Sequence, residues 1–406
     1  MAVKLPIYMD SHATTRTDPR VLEAMLPYFT EIFGNPASRN HSFGWAAEEA
    51  VETSRATIAR CINADPKEIV FTSGSTEANN LAIKGAAEMY GEKGKHIITC
   101  VTEHKAIIDP CKKLERMGYD VTWLPVQKSG RVDVDQLRDA VRPETILVSI
   151  MHANNEIGVL QPVEDIAQVC AAKDIVFHTD ATQSVGKVPV DVQKQGIHML
   201  SCSAHKLYGP KGVGFLYVRR RKPRVRVTPI LDGGGHERGM RSGTLNVTGI
   251  VGMAKAMEIC DAEMAQESAK MSGLRDYLRK KLFDNMTDIY ENGDPNYKLP
   301  HSLNISFSFV EGESLLMGIH DVAVSSGSAC TSASLEPSYV LKSLGLGDEL
   351  AHSSIRFGLG RFNTKEEVDY VADKLISTVA KLREMSPLYE MHKEGVDLTK
   401  VAWAHH

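Results

Sequence analysis

The run Ile175-Val176-Phe177-His178-Thr179-Asp180-Ala181-Thr182-Gln183 opens on consecutive apolar residues and closes on groups that carry chemistry. A strand that is apolar at consecutive positions is covered on both faces, as in a parallel sheet. Outward from it lie similar runs at Ile69–Thr72, His96–Val101, Val121–Val126, Ile146–Met151, Met199–Ser203 and Val213–Val218. Helical patterns at Glu77–Tyr90, Ala106–Met117, Val134–Val141 and Pro162–Lys173 separate them. Strands alternating with helices predict a large doubly wound, mostly parallel α/β domain, placed over residues 16–262.

Past Asn246 the pattern changes. A proline-free stretch from Val247 to about Met286 reads as one long helix, and Leu303–Val310 and Ser354–Arg361 alternate like half-buried strands. Thr364 with Glu367 three residues on is a capping-box signature for a last long helix. These predict a smaller α+β domain of residues 1–15 and 263–406. The tail Pro387–His406 reads as neither core helix nor strand.

Bulk properties narrow the function. Of 406 residues, 47 are Lys or Arg and 51 are Asp or Glu, a net charge of −4 that gives no electrostatic case for nucleic acid or an anionic membrane. No apolar run of about eighteen residues occurs, so no membrane helix is expected. Pro6 and Asp10 interrupt the N-terminus before a signal-peptide core can form. Seven cysteines, scattered and odd in number, suggest reduced thiols and a cytoplasmic protein. Isolated Cys/His pairs do not make a metal site.

In an open parallel sheet, chemistry collects beyond the carboxyl ends of the strands. Thr72-Ser73-Gly74-Ser75-Thr76, opening a helix, suits either a phosphate or ordinary capping. His104 follows a second strand, and Asn155 lies in the polar cluster His152–Gly158 after a third. A carboxylate at Asp180, past a buried strand, needs a partner, and a cation is expected. Lys206, after Ser203-Ala204-His205, is either a desolvated Schiff-base lysine or one that snorkels to water. The loop Gly233–Thr244 carries Arg238 and Arg241 and is either an anion site or a flexible connection. Cys330, in the small-residue loop 325–334, is expected to be accessible, while the other six cysteines pack. Arg356 pairs a carboxylate or sits as a surface charge on a half-exposed strand. Taken together, Lys206, Asp180, Ser75 and Thr76 with Ser203 and His205, and the ring of His104 match the needs of pyridoxal 5′-phosphate.

The segments Ala13-Thr14-Thr15, Gly34-Asn35-Pro36-Ala37-Ser38, Thr102-Glu103-His104, Ser203–Lys206, Arg241-Ser242-Gly243-Thr244 and Ser325–Thr331 resemble class V pyridoxal-phosphate enzymes of fold type I. More narrowly they resemble cysteine desulfurases of the IscS/NifS type. The run Glu349–Arg356 and the ending Trp403-Ala404-His405-His406 are similar to the housekeeping IscS branch. The resemblance spans essentially the whole chain. It implies that Lys206 holds the cofactor covalently, Asp180 binds the ring nitrogen, Gln183 the ring hydroxyl, and His104 stacks and acts as acid or base. Ser75, Thr76, Ser203 and His205 bind phosphate, with Thr244 contributed across a homodimer interface. Asn155 touches cofactor and substrate, and Arg356 and Asn35 bind the substrate carboxylate. Cys330 takes sulfur from L-cysteine as a persulfide, releasing L-alanine. The resemblance further implies transfer to an iron–sulfur scaffold docked at the tail around Trp403, to acceptors for tRNA thiolation, and Cys330 as a transient [2Fe-2S] ligand. Neighbouring activities are a selenocysteine lyase, an aminotransferase, which would not need Cys330, and a non-catalytic scaffold. Ser11, His12 and Arg16 depart from the family pattern near the expected entrance, as does Ser75, where alanine is common.

Overall fold

The computed structural model describes residues 3–326 and 336–395, so the expectations for Cys330 and for Trp403 lie outside the described residues. The chain divides into two compact units: His12–Ser268 with Asp294–Pro300, and Met1–Ser11 with Ala269–Gly293 and His301–His406.

The first unit holds a seven-stranded sheet. Its order is Ile69–Thr72, Gly214–Val218, Met199–Ser203, Val176–Asp180, Thr145–Ser149, His96–Cys100 and Asp120–Leu124. Gly214–Val218 runs antiparallel to both neighbours, and every other pairing is parallel. The strands are short and apolar because both faces are covered. Phe71, Ile98, Val148, Phe177 and Phe215 face one core, and Val70, Ile97, Leu147, Val176 and Leu216 face the other. The helix Ser75–Tyr90 presents Ala78, Leu81, Ala82 and Ala86 to the second core at helical spacing. Each fully buried Leu, Ile, Val or Phe contributes roughly 1.5–3 kcal/mol relative to exposure.

The helix Val247–Asn285 carries the chain from the first unit into the second. There an antiparallel sheet runs in the order Ser325–Ser326, Ser354–Gly358, Ser302–Phe307, Ile289–Glu291. Leu303, Ile305, Phe307, Ile355 and Phe357 pack against Leu278 and Leu282 and against Val368, Val371, Leu375 and Val379 of the helix Lys365–Glu384. That last helix begins on the expected capping box of Thr364 and Glu367.

One expectation for this unit is corrected, and the tail starts, as expected, without a core element, its short helix burying no residue. The strands Ser302–Phe307 and Ser354–Gly358 are buried along their whole length rather than half-buried. Their alternation is real, but the polar face is enclosed too. Its needs are met in part from within, with Asn292 Nδ2 donating to Asn304 Oδ1 and Ser306 Oγ, each at 2.8 Å. That helix of the tail, Pro387–Lys393, has proline in its first turn, where its missing N–H costs nothing. Its His392 ring stacks on Phe309 at 4.6 Å between centroids. Among the described residues no helix is long and apolar enough to cross a membrane.

Candidate functional site

Parallel pairing brings Asp180 and Ser203, at the carboxyl ends of neighbouring strands, to one edge of the large sheet. On the far side of Ser203, register places both Ser203 and Thr72 opposite Gly214. A Cβ at Gly214 would lie 2.8 Å from Gly74 Cα, so only glycine lets the Ser73-Gly74 turn rest there. Gly74 has φ +153°, caps the Ser75–Tyr90 helix without a side-chain bond, and leaves space in which a Cβ would come within 3.7 Å of Ser203 Oγ. Ser75 is half-buried and Thr76 exposed at the head of this helix.

Asp180 is buried. Its Oδ2 accepts from Asn79 Nδ2 at 2.7 Å and its Oδ1 from the Thr182 N–H at 3.0 Å. The donors are neutral, not the cation that burial alone suggests; fixed dipoles hold the charge. Lys206 lies in the 3₁₀ turn Ala204–Lys206 directly after the Met199–Ser203 strand. Its Nζ donates to the carbonyls of His12 at 2.5 Å and Ala13 at 2.6 Å. The segment 12–18 is fastened to this turn: Thr15 Oγ1 donates to the His205 carbonyl at 2.9 Å and accepts from the Tyr208 N–H at 2.8 Å. Thr14 Oγ1 meets His205 Nδ1 at 3.1 Å.

His104 caps the helix Lys105–Arg116, its Nδ1 accepting from the Ala106 N–H at 3.1 Å. Burial holds its pKa below the ordinary histidine value; the Asp180 carboxylate opposes this and the Lys206 ammonium reinforces it. A neutral ring with Nδ1 accepting carries its proton on Nε2. Burial likewise pushes His205 down to about 4, with Lys206 and Lys211 adding to the effect. Next to His104, Glu103 accepts from the Met151 N–H at 2.7 Å, and burial, with Asp180 nearby, raises its carboxyl well above the usual range.

The remaining expected residues divide by unit. Gln183 grips His12, with Nε2 donating to its carbonyl at 3.0 Å and Oε1 against Nδ1 at 3.2 Å. Asn155 is buried in a turn that Asn154 organises by accepting from the Glu156 and Ile157 N–H groups. Asn35 is exposed and accepts from the Ala37 N–H at 2.9 Å. Thr244 is exposed on the glycine-rich loop, where Arg241 pairs with Glu77 at 2.8 Å. That ion pair makes the loop more than a flexible connection. In the second unit Arg356 is buried, not a surface charge, and pairs with Asp10 at 2.8 Å. Sequence reasoning missed Asn79, Glu103 and the His12–Gln183 contact. Asn79 had one signal, standing one helical turn after Ser75.

A phosphate-bearing aldehyde with a basic ring nitrogen fits these residues. The Gly74 cradle is open at an uncapped helix N-terminus, the Asp180 carboxylate is oriented by neutral donors, and the His104 ring feels both Asp180 and Lys206.

Comparison with known proteins agrees. Residues 7–371 match the family model for class-V aminotransferases. A curated cysteine desulfurase IscS from Anaeromyxobacter sp. (strain Fw109-5) is 60% identical over 402 residues, 99% of each chain. A solved NifS-like protein superposes with a TM-score of 0.85 at 38% identity, covering 92% of this chain and 99% of its own. SspA, solved in complex with cysteine, gives 0.78 at 37% identity, covering 88% and 100%. With this likeness running through nearly all of its length, the chain belongs to the class-V aminotransferase family and, within it, to the IscS-type cysteine desulfurases.

Proposed function

We propose that the chain removes sulfur from L-cysteine, leaving L-alanine and a persulfide on Cys330, with pyridoxal phosphate bound at the Asp180–Lys206 edge. The observation that carries the placement is a buried carboxylate held by neutral donors beside a lysine whose amine rests on two backbone carbonyls. Pyridoxal phosphate, when bound, supplies an electrophilic carbonyl and an electron-accepting ring. Asp180 would keep the ring nitrogen protonated. The uncapped helix N–H groups, Ser75, Thr76, Ser203 and His205 would hold the phosphate, with Thr244 reaching a second copy's site. Lys206 Nζ would form the covalent attachment and, once displaced, move the substrate α-proton. His104 would stack on the ring. Its neutral ring offers Nε2–H as a hydrogen-bond donor, and the ring would act as acid or base toward the substrate. Asn155, Arg356 and Asn35 would hold the substrate carboxylate.

Cys330 is assigned by the sequence of its loop and by the family resemblance, and five other thiols compete poorly. Burial pushes the thiols of Cys61 and Cys100 up to about 12 and those of Cys111, Cys170 and Cys202 higher still, so none of these is a thiolate at neutral pH. A homodimer is supported by an apolar patch on the first unit, where Leu26, Phe29, Phe33, Phe43 and Trp45 are each at least 50% exposed. A cytoplasmic setting, onward transfer to an iron–sulfur scaffold and to tRNA-thiolating acceptors, docking at the tail, and Cys330 as a transient [2Fe-2S] ligand complete the proposal.

The test is Lys206→Ala. It should lose the cofactor's visible band and all alanine release from L-cysteine, while mass spectrometry of the unmutated enzyme finds the extra sulfur on Cys330. Retained turnover, or sulfur on Cys111 or Cys202, would refute it.

A further inference from the structure

His12, in the segment that leads to Thr14 and Thr15, is 1% exposed. Its carbonyl accepts from Gln183 Nε2 at 3.0 Å, and since a carbonyl can only accept, that contact fixes which end of the Gln183 amide is nitrogen. The oxygen end then lies 3.2 Å from His12 Nδ1. An amide oxygen also only accepts, so Nδ1 carries a proton and the neutral ring is the Nδ1–H tautomer. One residue thus holds both ends of the amide, backbone on nitrogen and ring on oxygen. The same carbonyl accepts from Lys206 Nζ at 2.5 Å. His12 therefore ties Gln183 and Lys206 to one peptide unit.

We propose that the His12 ring is a positioning residue that locks the Gln183 amide with its nitrogen end set for the cofactor. The inference rests on the proposed placement of Gln183 at the ring hydroxyl. An amide gripped only by the backbone carbonyl can pivot about that contact; a second bond at its oxygen removes the freedom and with it the entropy that cofactor binding would otherwise have to remove. The ring is not needed to hold its own segment. Thr14 and Thr15 fasten residues 14 and 15 to His205 and Tyr208 independently, so substitution at position 12 leaves the segment attached.

Two substitutions separate the ring's bulk from its proton. His12→Phe keeps volume and removes the donor; His12→Asn places an amide nitrogen near the position of Nδ1. In the full-length chain, imidazole nitrogen shifts should report a proton on Nδ1 of His12. Affinity for pyridoxal phosphate, read by titration of the visible band, should weaken about 3- to 10-fold in His12→Phe, the size of one neutral hydrogen bond, and by less than about 2-fold in His12→Asn. Because His12 acts through Gln183, adding His12→Phe to Gln183→Ala should change affinity no further. A proton on Nε2 instead, or equal losses from His12→Phe in both backgrounds, would overturn the proposal. Unchanged affinity in Gln183→Ala with the Nδ1 proton still present would overturn the placement of Gln183 beneath it, and the two failures are told apart by the tautomer.

Discussion

Asp180 and Glu237 are two carboxylates of the large unit, each 6% exposed, and they are held in opposite ways. Glu237 accepts from Arg55 Nη1 at 2.8 Å and Nη2 at 2.7 Å and from the Phe71 N–H at 2.7 Å. Its countercharge is supplied by the chain. The bidentate pair pins a loop where Glu237 and Arg238 take φ near +51° and +57°, a strained backbone for side-chain-bearing residues. Among the described residues Asp180 receives only an amide and a backbone N–H. A buried charge matched inside the chain serves the fold, whereas one oriented by neutral dipoles is ready for a cation that arrives with a ligand.

Neutralising each carboxylate tests that contrast. Asp180→Asn keeps the shape and removes a charge that no bonded cation balances. Folding stability should hold or rise, and alanine release should fall about 10²- to 10³-fold, the range for one preorganised electrostatic group. Glu237→Gln should do the reverse. It strands the Arg55 guanidinium at 3% exposure with only Glu52, itself 59% exposed, as countercharge. The expected loss is about 3–5 kcal/mol in urea unfolding, with the visible cofactor band retained in the folded fraction. A variant pair that swapped these outcomes would break the comparison.

The contrast also explains what could be read from the chain. Asp180 and Lys206 were legible because each follows a buried strand, and strand ends in a parallel sheet are where ligands bind. The strand and helix sequence of the large unit was legible for the same reason, since its apolar runs are consecutive. Asn79, the chief donor to Asp180, gave little away. An asparagine inside a helix is locally unremarked, and its partner lies far off in sequence. The His12–Gln183 contact spans a greater separation still. Enclosure of the small sheet was hidden as well: Asn304 and Ser306 read as a wet face, yet Asn292, just past the neighbouring strand Ile289–Glu291, donates to both.

Buried histidines extend the comparison to charges that the fold excludes. His178, two residues before Asp180, meets Ser149 Oγ and Ser201 Oγ at 2.9 Å each. Burial pushes it down to about 4, as it does His152 and His198. In the unfolded chain these rings titrate near 6.5, so below that pH the unfolded state takes up protons first. Stability is therefore full above pH 6.5 and falls as pH drops toward 4, by at most about 3 kcal/mol per ring. Glu103, raised by burial, runs the other way, contributing stability that is lost as pH rises above the usual carboxylate range. The difference between variant and parent isolates the histidine. His178→Asn should flatten the slope of stability against pH between 6.5 and 4, measured by urea unfolding at each pH, and an unchanged slope would show that the ring is not held neutral.

Glu77 is the intermediate case and the smallest expected effect. Its carboxylate has a cation within the chain, Arg241 at 2.8 Å, yet its side chain is 11% exposed against 18% for the arginine, so water shares the charge. Burial alone would raise its pKa; the Arg241 guanidinium and the Ser73 N–H outweigh that and hold it below the usual value. A lowered carboxylate pKa contributes stability above the unfolded value, near 4.3, which is lost as pH falls through the folded one. Glu77→Gln should accordingly cost only about 1 kcal/mol at pH 7 and nothing in strong acid. Its second effect is local. Arg241 lies three residues before Thr244, so loss of the pair loosens the loop that carries Thr244 while leaving Asp180 and Lys206 untouched. Hydrogen exchange should quicken across residues 239–244 and not in the Met199–Ser203 strand. A loss as large as that of Glu237→Gln would mean that a cation in the chain, and not exclusion of water, decides how much a paired carboxylate stabilises this fold.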